Sequence, residues 1–427
     1  MGSARSAGNE NPRLDAPSVW LYAGLVLIGL INIYSATSDP NQGFHFSFNS
    51  LAGRQMMWIG GAVLLILTIA FANVAVFDYF AYGFYALIIL LNIAVIFLGR
   101  EVAGARSWFG FGGVGIQPSE FAKAATALAL ARFLGTYGIR FKGTRNVFIC
   151  LGLFLLPMGI ILGQNDTGSA LVFLAFFLVL YREGLPGGLL LTALWMAILG
   201  IARIVMTSRG VPHFWTYGIL AVLGAVIIWF GRKNRQLVIT VSLITISSIV
   251  FSLLVGFAYT KILKSYQRDR IELTLGLIKD EQGKGYHLHQ SRIAIGAGQL
   301  VGRGFLKGTQ TKMGEKSFVP EGHTDYIFCT ISEEWGFAGV VVFFLIYFGL
   351  LFRLVSLAER QSTTFGRVLG YSVACILFFH IAINIGMTIG MVPTIGIPLP
   401  FVSFGGSSLW AFTLLLFTFL KVDEKRR

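Results

Sequence analysis

The chain runs to 427 residues, 55% of them apolar, 14% aromatic and only 13% charged. So little polar surface excludes a soluble globule of this length and implies an all-α, polytopic membrane protein. The net charge of +14 comes without a Lys/Arg stripe on a soluble domain, which argues against nucleic acid as a partner and for basic residues that anchor helix ends at the cytoplasmic face.

In chain order, the leader 1–16 has the Ser, Gly, Asn, Pro and Arg content of a disordered cytoplasmic tail, and 17–427 reads as a single integral membrane domain. About twelve apolar runs of spanning length follow, near 18–37, 55–73, 77–98, 118–137, 146–163, 168–181, 185–204, 214–230, 237–259, 324–352, 367–390 and 405–420. The sixth and eighth are short enough to merge or split. The first has no small-residue cleavage site and is read as a retained span. No repeat of fixed period is evident. Cys150, Cys329 and Cys375 lie in or beside apolar stretches without a CxxC pair, so they read as small core hydrophobes.

Sidedness follows from the short loops. With the amino terminus cytoplasmic, Arg5, Arg13, Arg132, Arg140, Lys142, Arg145, Arg182, Arg232, Lys233, Arg235, Arg353, Arg360, Arg367, Lys421, Lys425, Arg426 and Arg427 fall inside. Only Arg54, Arg100, Arg106, Arg203 and Arg209 fall in outer short loops, a bias of about three to one that places both termini in the cytoplasm. The long polar loop 260–323 escapes the rule by its length and lies outside.

Polar groups at membrane depth are few. Pro118 suits a first helical position, so Glu120 and Lys123 stand three apart on one helix face, as a structural ion pair or as part of a polar site. Trp108, in the Gly- and aromatic-rich loop 104–113, is an interfacial anchor or a stacking face for a sugar or lipid head. Asp166 occupies a short turn as a helix cap or a site residue. Arg54 ends the second span, by snorkelling or to bind an anion. His287 and His289 alternate as in an extended segment and lack an acidic third ligand. Glu333 and Glu334 lie some two turns beyond Asp325 and are not obvious members of its cluster.

Asp325 is the most informative residue. It stands in 318–328, where the external loop meets an apolar span, and a carboxylate at that rim is by default a functional-site hypothesis. The helix dipole favours its charged form and desolvation disfavours it, and either balance leaves a group able to accept a proton from an alcohol nucleophile.

Several motifs resemble those of the SEDS family of membrane proteins. They are Gln117-Pro118-Ser119-Glu120 with Lys123, Gly308-Thr309-Gln310, Val319-Pro320-Glu321, His323-Thr324-Asp325-Tyr326-Ile327-Phe328 followed by Glu333-Glu334-Trp335-Gly336, and Pro398-Leu399-Pro400-Phe401-Val402-Ser403-Phe404-Gly405-Gly406-Ser407-Ser408. The Gly-Thr-Gln element and short termini resemble the rod-elongation branch more than the division branch. The resemblance implies a peptidoglycan glycosyltransferase that polymerises lipid II at the outer face of the bacterial cytoplasmic membrane. Asp325 would be the catalytic residue, with Trp108, Arg54, Glu120, Lys123, Asp166 and His323 around the substrate. It further implies a class B penicillin-binding protein and the rod-elongation complex as partners. A divalent cation, Mg or Mn, is suggested for the family, with no ligands identified here.

This chain also departs from the family pattern. It carries two more spans than the usual ten, near 185–235, a SEDS fold plus two extra helices. Asn165 replaces the usual proline before Asp166, Gln299 replaces the second of two glycines, and Gly314, Glu315 and Lys316 lengthen the loop. Two rival readings remain: a lipid II flippase, against which count the gathering of polar residues at one face and the lack of paired interrupted helices, and the division-specific polymerase with the same chemistry.

Overall fold

The computed structural model describes residues 14–38, 48, 50–102, 104–111, 114–136, 144–278, 280, 283, 285–312, 318–319 and 321–424. Leader residues 1–13, Arg140, Lys142, Pro320, the inserted Gly314–Lys316 and the last three residues lie outside that set.

Sixteen helices follow one another among the described residues: α1 (Ala16–Thr37), α2 (Leu51–Phe71), α3 (Val74–Tyr79), α4 (Ala81–Leu98), α5 (Pro118–Gly135), α6 (Thr144–Gly163), α7 (Thr167–Val172), α8 (Ala175–Arg182), α9 (Gly187–Ser208), α10 (His213–Gly231), α11 (Arg235–Phe257), α12 (Ser265–Thr274), α13 (Tyr286–Ala297), α14 (Ile327–Glu359), α15 (Thr364–Ile389) and α16 (Gly406–Glu424). Short polar side chains set several starts. Asp15, Ser50, Asn73, Asp166 and Asn234 each accept a first-turn amide, meeting donors that have no partner inside the helix. Among the described residues ten helices are long and apolar enough to cross a membrane. Of the twelve expected spans, two fall outside that ten: α5, which carries Glu120, Lys123 and Arg132, and 167–182, which is split into α7 and α8.

The loop read as Gly- and aromatic-rich is a small antiparallel sheet, β1 (Arg100–Val102), β2 (Ala105–Phe111) and β3 (Val114–Ile116). His287 and His289 sit on α13, which corrects the expected extended segment. Two positions apart on a helix, they point to different faces.

By its packing the chain divides into two compact units. One comprises 1–185, 290–389 and 395–427 and carries all seven expected site residues. Its core is the packing of α14, α15, α16 and α5, with Leu130, Phe343, Tyr347, Phe412, Phe417 and Phe419 wholly buried. At one end of these helices a set of ion pairs is gathered: Asp15 with Arg353 at 2.6 Å, Arg182 with Glu359 at 2.7 Å, Arg367 with Glu183 at 2.8 Å, and Arg360 with Asp423. Burial pushes the Asp15 carboxyl up, but hydrogen bonds from Arg353 and Ser18 outweigh it and hold the group at about 2.

The other unit comprises 186–289 and 390–394, built on α9, α10 and α11, with a π-helical turn Ala258–Ile262 continuing α11. Arg203, expected in an outer loop, lies inside α9 and is buried, its guanidinium over the Tyr217 ring and against Gly256. Removing it from the outer count sharpens the charge bias between the two sets of loops.

Among the described residues the sixth span, short enough in sequence to split, and α14 are both interrupted. The sixth span breaks between Val172 and Ala175. The other, α14, breaks at Gly336, whose φ of 63° and ψ of −165° lie in a region glycine alone adopts readily. Main chain from the loop 298–304 fills that break. Arg303 and Gly304 donate to the carbonyls of Glu333 and Glu334, while Phe337 and Ala338 donate to the carbonyls of Gln299 and Leu300. The backbone groups freed by the kink are thus met within protein, as a low-dielectric setting requires.

Candidate active site

Asp325 lies half-buried in the turn that leads into α14, two residues before the helix begins at Ile327, whereas the sequence alone puts it at the helix start. Three hydrogen bonds fix the turn around it. Asn384 Nδ2 donates to the Asp325 carbonyl at 2.8 Å, Ser403 Oγ donates to the Thr324 carbonyl at 2.7 Å, and Phe404 N donates to the His323 carbonyl at 3.0 Å. The carboxylate faces Gly396, where a Cβ would stand 3.0 Å from Asp325 Oδ2. Only glycine allows both that approach and its φ of 63°. His323 stacks obliquely on Phe404, 5.7 Å between ring centres. Burial pushes its imidazole below the ordinary 6.5, with Glu321 pulling the other way.

Behind this turn runs a buried polar chain. Lys123 Nζ lies 2.9 Å from Glu120 Oε1 and 2.8 Å from His380 Nε2, and it stands over the Phe412 ring. Both readings of the Glu120 and Lys123 pair expected a helix-face partner, and the structure supplies one. At 2% and 1% exposure, however, the two side chains sit behind the wall of the site. Direct substrate contact, expected for both, is not what this geometry supports.

Asp166 caps α7, as one of its two readings expected, and it also ties that cap to Gln117. One oxygen accepts from Ser169 N at 3.0 Å and caps α7, while the other accepts from Gln117 Nε2 at 2.8 Å. Gln117 N in turn meets Ser407 Oγ, which donates to the Gly115 carbonyl. Trp108 joins through the same sheet, its ring lying on Gly115, where a Cβ would come within 2.8 Å. It is therefore half-buried against backbone. Arg54 is exposed on the first turn of α2, and its neighbour Gln55 is the one buried, accepting from Gly405 N at 3.2 Å. The segment 396–407, by its main chain and by the Ser407 hydroxyl, thus links Asp325 to every expected site residue except Arg54.

Glu333 and Glu334 lie outside this cluster, as expected, and serve the loop. Glu333 accepts from the amides of Thr309, Gln310 and Thr311, and Glu334 accepts from Ser35 on α1. Among the described residues no group of three His, Cys, Asp or Glu side chains could hold a metal ion. The donor set therefore does not by itself match the suggested divalent cation.

Sequence reasoning passed over His380, Asn384 and Ser403. The first two carried a usable signal, since both are polar side chains inside the apolar run 367–390.

A many-spanning helical bundle with a polar site at one end and ion pairs at the other defines a class of membrane protein whose chemistry is built from helix ends. The sequence profile of the cell cycle protein family FTSW_RODA_SPOVE matches residues 17–211 and 211–427, and the chain belongs to that family. It is 32% identical to peptidoglycan glycosyltransferase RodA of Treponema pallidum (strain Nichols), over 94% of this chain and 95% of that one. It is 33% identical to peptidoglycan glycosyltransferase MrdB of Escherichia coli (strain K12), over 94% and 90%. A probable peptidoglycan glycosyltransferase FtsW of Thiomicrospira cyclica is 28% identical, over 97% and 92%. Among solved structures, a chain described under structural coordination of polymerization and crosslinking by a peptidoglycan synthase complex superposes with a TM-score of 0.69 at 29% identity, over 97% of this chain and 98% of that one. Rod shape determining protein RodA of Thermus thermophilus superposes at 0.60 with 27% identity, over 97% of each. The region 185–235, expected to lack a family counterpart, lies inside the matched range, so nothing in the comparison marks it as an addition.

Proposed function

We propose that this protein is a peptidoglycan glycosyltransferase of the rod-elongation type, with Asp325 as its catalytic base. The carrying observation is the placement of a half-buried carboxylate in a turn fixed by Asn384, Ser403 and Phe404, in a chain whose relatives above 30% identity bear the names RodA and MrdB.

The substrate is lipid II. The 4-hydroxyl of the acceptor sugar attacks the anomeric carbon of the lipid-linked donor, and Asp325 takes the hydroxyl proton. A glycosidic bond forms as the bond from the anomeric carbon to the pyrophosphate oxygen breaks, and undecaprenyl pyrophosphate leaves with the electron pair. Arg54, exposed on the first turn of α2, is placed to meet the negative charge that grows on the leaving group. Lys123 contributes its field from behind the wall, where a low dielectric makes a fixed charge count for more.

The site end is extracytoplasmic and both termini are cytoplasmic. In support, the ion pairs of Arg182, Arg353, Arg360 and Arg367 gather at the opposite ends of the helices that carry the site. The partners are a class B penicillin-binding protein that crosslinks the strands and the rod-elongation complex. The test is polymerisation of lipid II by the purified protein, with and without that transpeptidase. Glycan polymer is the expected product, whereas movement of labelled lipid between leaflets without polymer would make the protein a flippase.

A further inference from the structure

The segment Ile395–Pro400 stands between the buried polar chain and Asp325. On one side its Gly396 faces the Asp325 carboxylate, and on the other its carbonyls are held by α15. Asn384 donates to the Ile397 carbonyl at 2.7 Å and, with its second N–H, to the Asp325 carbonyl at 2.8 Å. One buried amide therefore clamps this strap and the aspartate's own backbone together. A turn deeper on the same helix, His380 touches the strap again. Lysine has only hydrogen-bond donors, so the 2.8 Å contact with Lys123 makes His380 Nε2 an acceptor and puts its proton on Nδ1, which donates to the Pro398 carbonyl at 3.2 Å. Gly168 of α7 closes the strap from behind, where a Cβ would meet Ile397 Cγ2 at 2.6 Å and the Ile395 carbonyl at 2.7 Å.

We infer that His380 and Asn384 are positioning residues that act through the 395–400 strap to set the Asp325 carboxylate for proton transfer. The inference rests on the catalytic assignment of Asp325 made above. Neither side chain has the exposure to meet substrate, since both are fully buried. Their two donor contacts on the strap and one on Asp325 are the means by which the Glu120, Lys123 and His380 chain reaches the reacting end.

Steady-state polymerisation by the full-length protein tests this, using His380→Phe, His380→Asn, Asn384→Leu and Asp325→Ala. His380→Phe keeps the ring and loses both contacts, whereas the amide of His380→Asn falls near the Nδ1 position and still reaches the Pro398 carbonyl. The expected result is a fall in kcat of about a hundredfold for His380→Phe and Asn384→Leu, the scale of a small misplacement of a reacting group. KM stays within about twofold, because binding common to ground and transition states is kept. His380→Asn recovers most of the lost kcat. Should Asn384→Leu fail to fold, Gly396→Ala crowds the carboxylate from the strap side and is expected to give the same split. Unchanged kcat in His380→Phe or Gly396→Ala, a loss confined to KM, or His380→Asn no better than His380→Phe overturns the inference. An inactive Asp325→Ala beside normal His380→Phe and Asn384→Leu sinks this inference alone, and polymerisation by Asp325→Ala sinks the assignment beneath it.

Discussion

Glu333 and Thr311 are joined twice: the buried carboxylate accepts from the Thr311 amide at 3.1 Å and from its hydroxyl at 2.8 Å. The amides of Thr309 and Gln310 reach the same group at 2.7 Å and 3.0 Å. One side chain of α14 thereby organises the Gly308-Thr309-Gln310 element, and Arg303 stands 4.0 Å away. Glu333→Ala would leave three amides without their acceptor, a loss of about 3 kcal/mol of local stability. Hydrogen exchange reads it directly: amides 309–311 are expected to lose protection in Glu333→Ala and to keep most of it in Glu333→Gln. Equal protection in Glu333→Ala and the parent would remove this role.

The Glu120 and Lys123 pair separates stability from activity. Lys123→Met strands a buried carboxylate, and removing one partner of such a pair typically destabilises by about 3 to 5 kcal/mol. Adding Glu120→Gln neutralises the stranded group, so the double variant is expected to regain most of the thermal stability in detergent without regaining polymerisation. A double variant as unstable as Lys123→Met would mean that the pair is not the source of the effect.

The spans, the charge bias and the start of α5 at Pro118 were legible because each depends on local composition or on one fixed backbone angle. Asp325 was legible for a similar reason, being a costly charge beside an apolar run. The strap was not. Its importance lies in which carbonyls His380 and Asn384 reach across 18 and 13 positions of chain, and no periodicity records that. The burial of Lys123 was hidden too, since a helix-face pairing reads the same whether the face meets water or protein. The break in α14 was written in Gly336, but its meaning depends on the 298–304 segment that fills it.

Asn165 explains one departure from the family pattern. Its φ of 63° lies where asparagine is tolerated and where proline, locked near about −65°, cannot go. Asn165→Pro must therefore rebuild the turn before Asp166 and is expected to destabilise by more than about 1 kcal/mol, whereas Asn165→Gly stays near the parent. Thermal unfolding of both variants checks this, and a stable Asn165→Pro would contradict the turn geometry.

His323 gives a pH dependence of known sign. Its folded-state pKa lies below the ordinary 6.5, so the unfolded chain binds the proton first. Its contribution to stability is then intact above about 6.5 and declines as pH falls below it. Melting temperature should drop between pH 7 and pH 5 by more in the parent than in His323→Gln. Equal slopes in the two proteins would show that this imidazole does not titrate as placed.

The catalytic claim is tested most directly by Asp325→Asn, which keeps the size of the side chain and its place against Gly396 while removing the proton acceptor. Polymerisation of lipid II by the purified variant, with its melting temperature unchanged, is expected to fall by about a thousandfold, within the range a positioned general base supplies. Polymer formed at the parent rate by a folded Asp325→Asn protein would contradict the account.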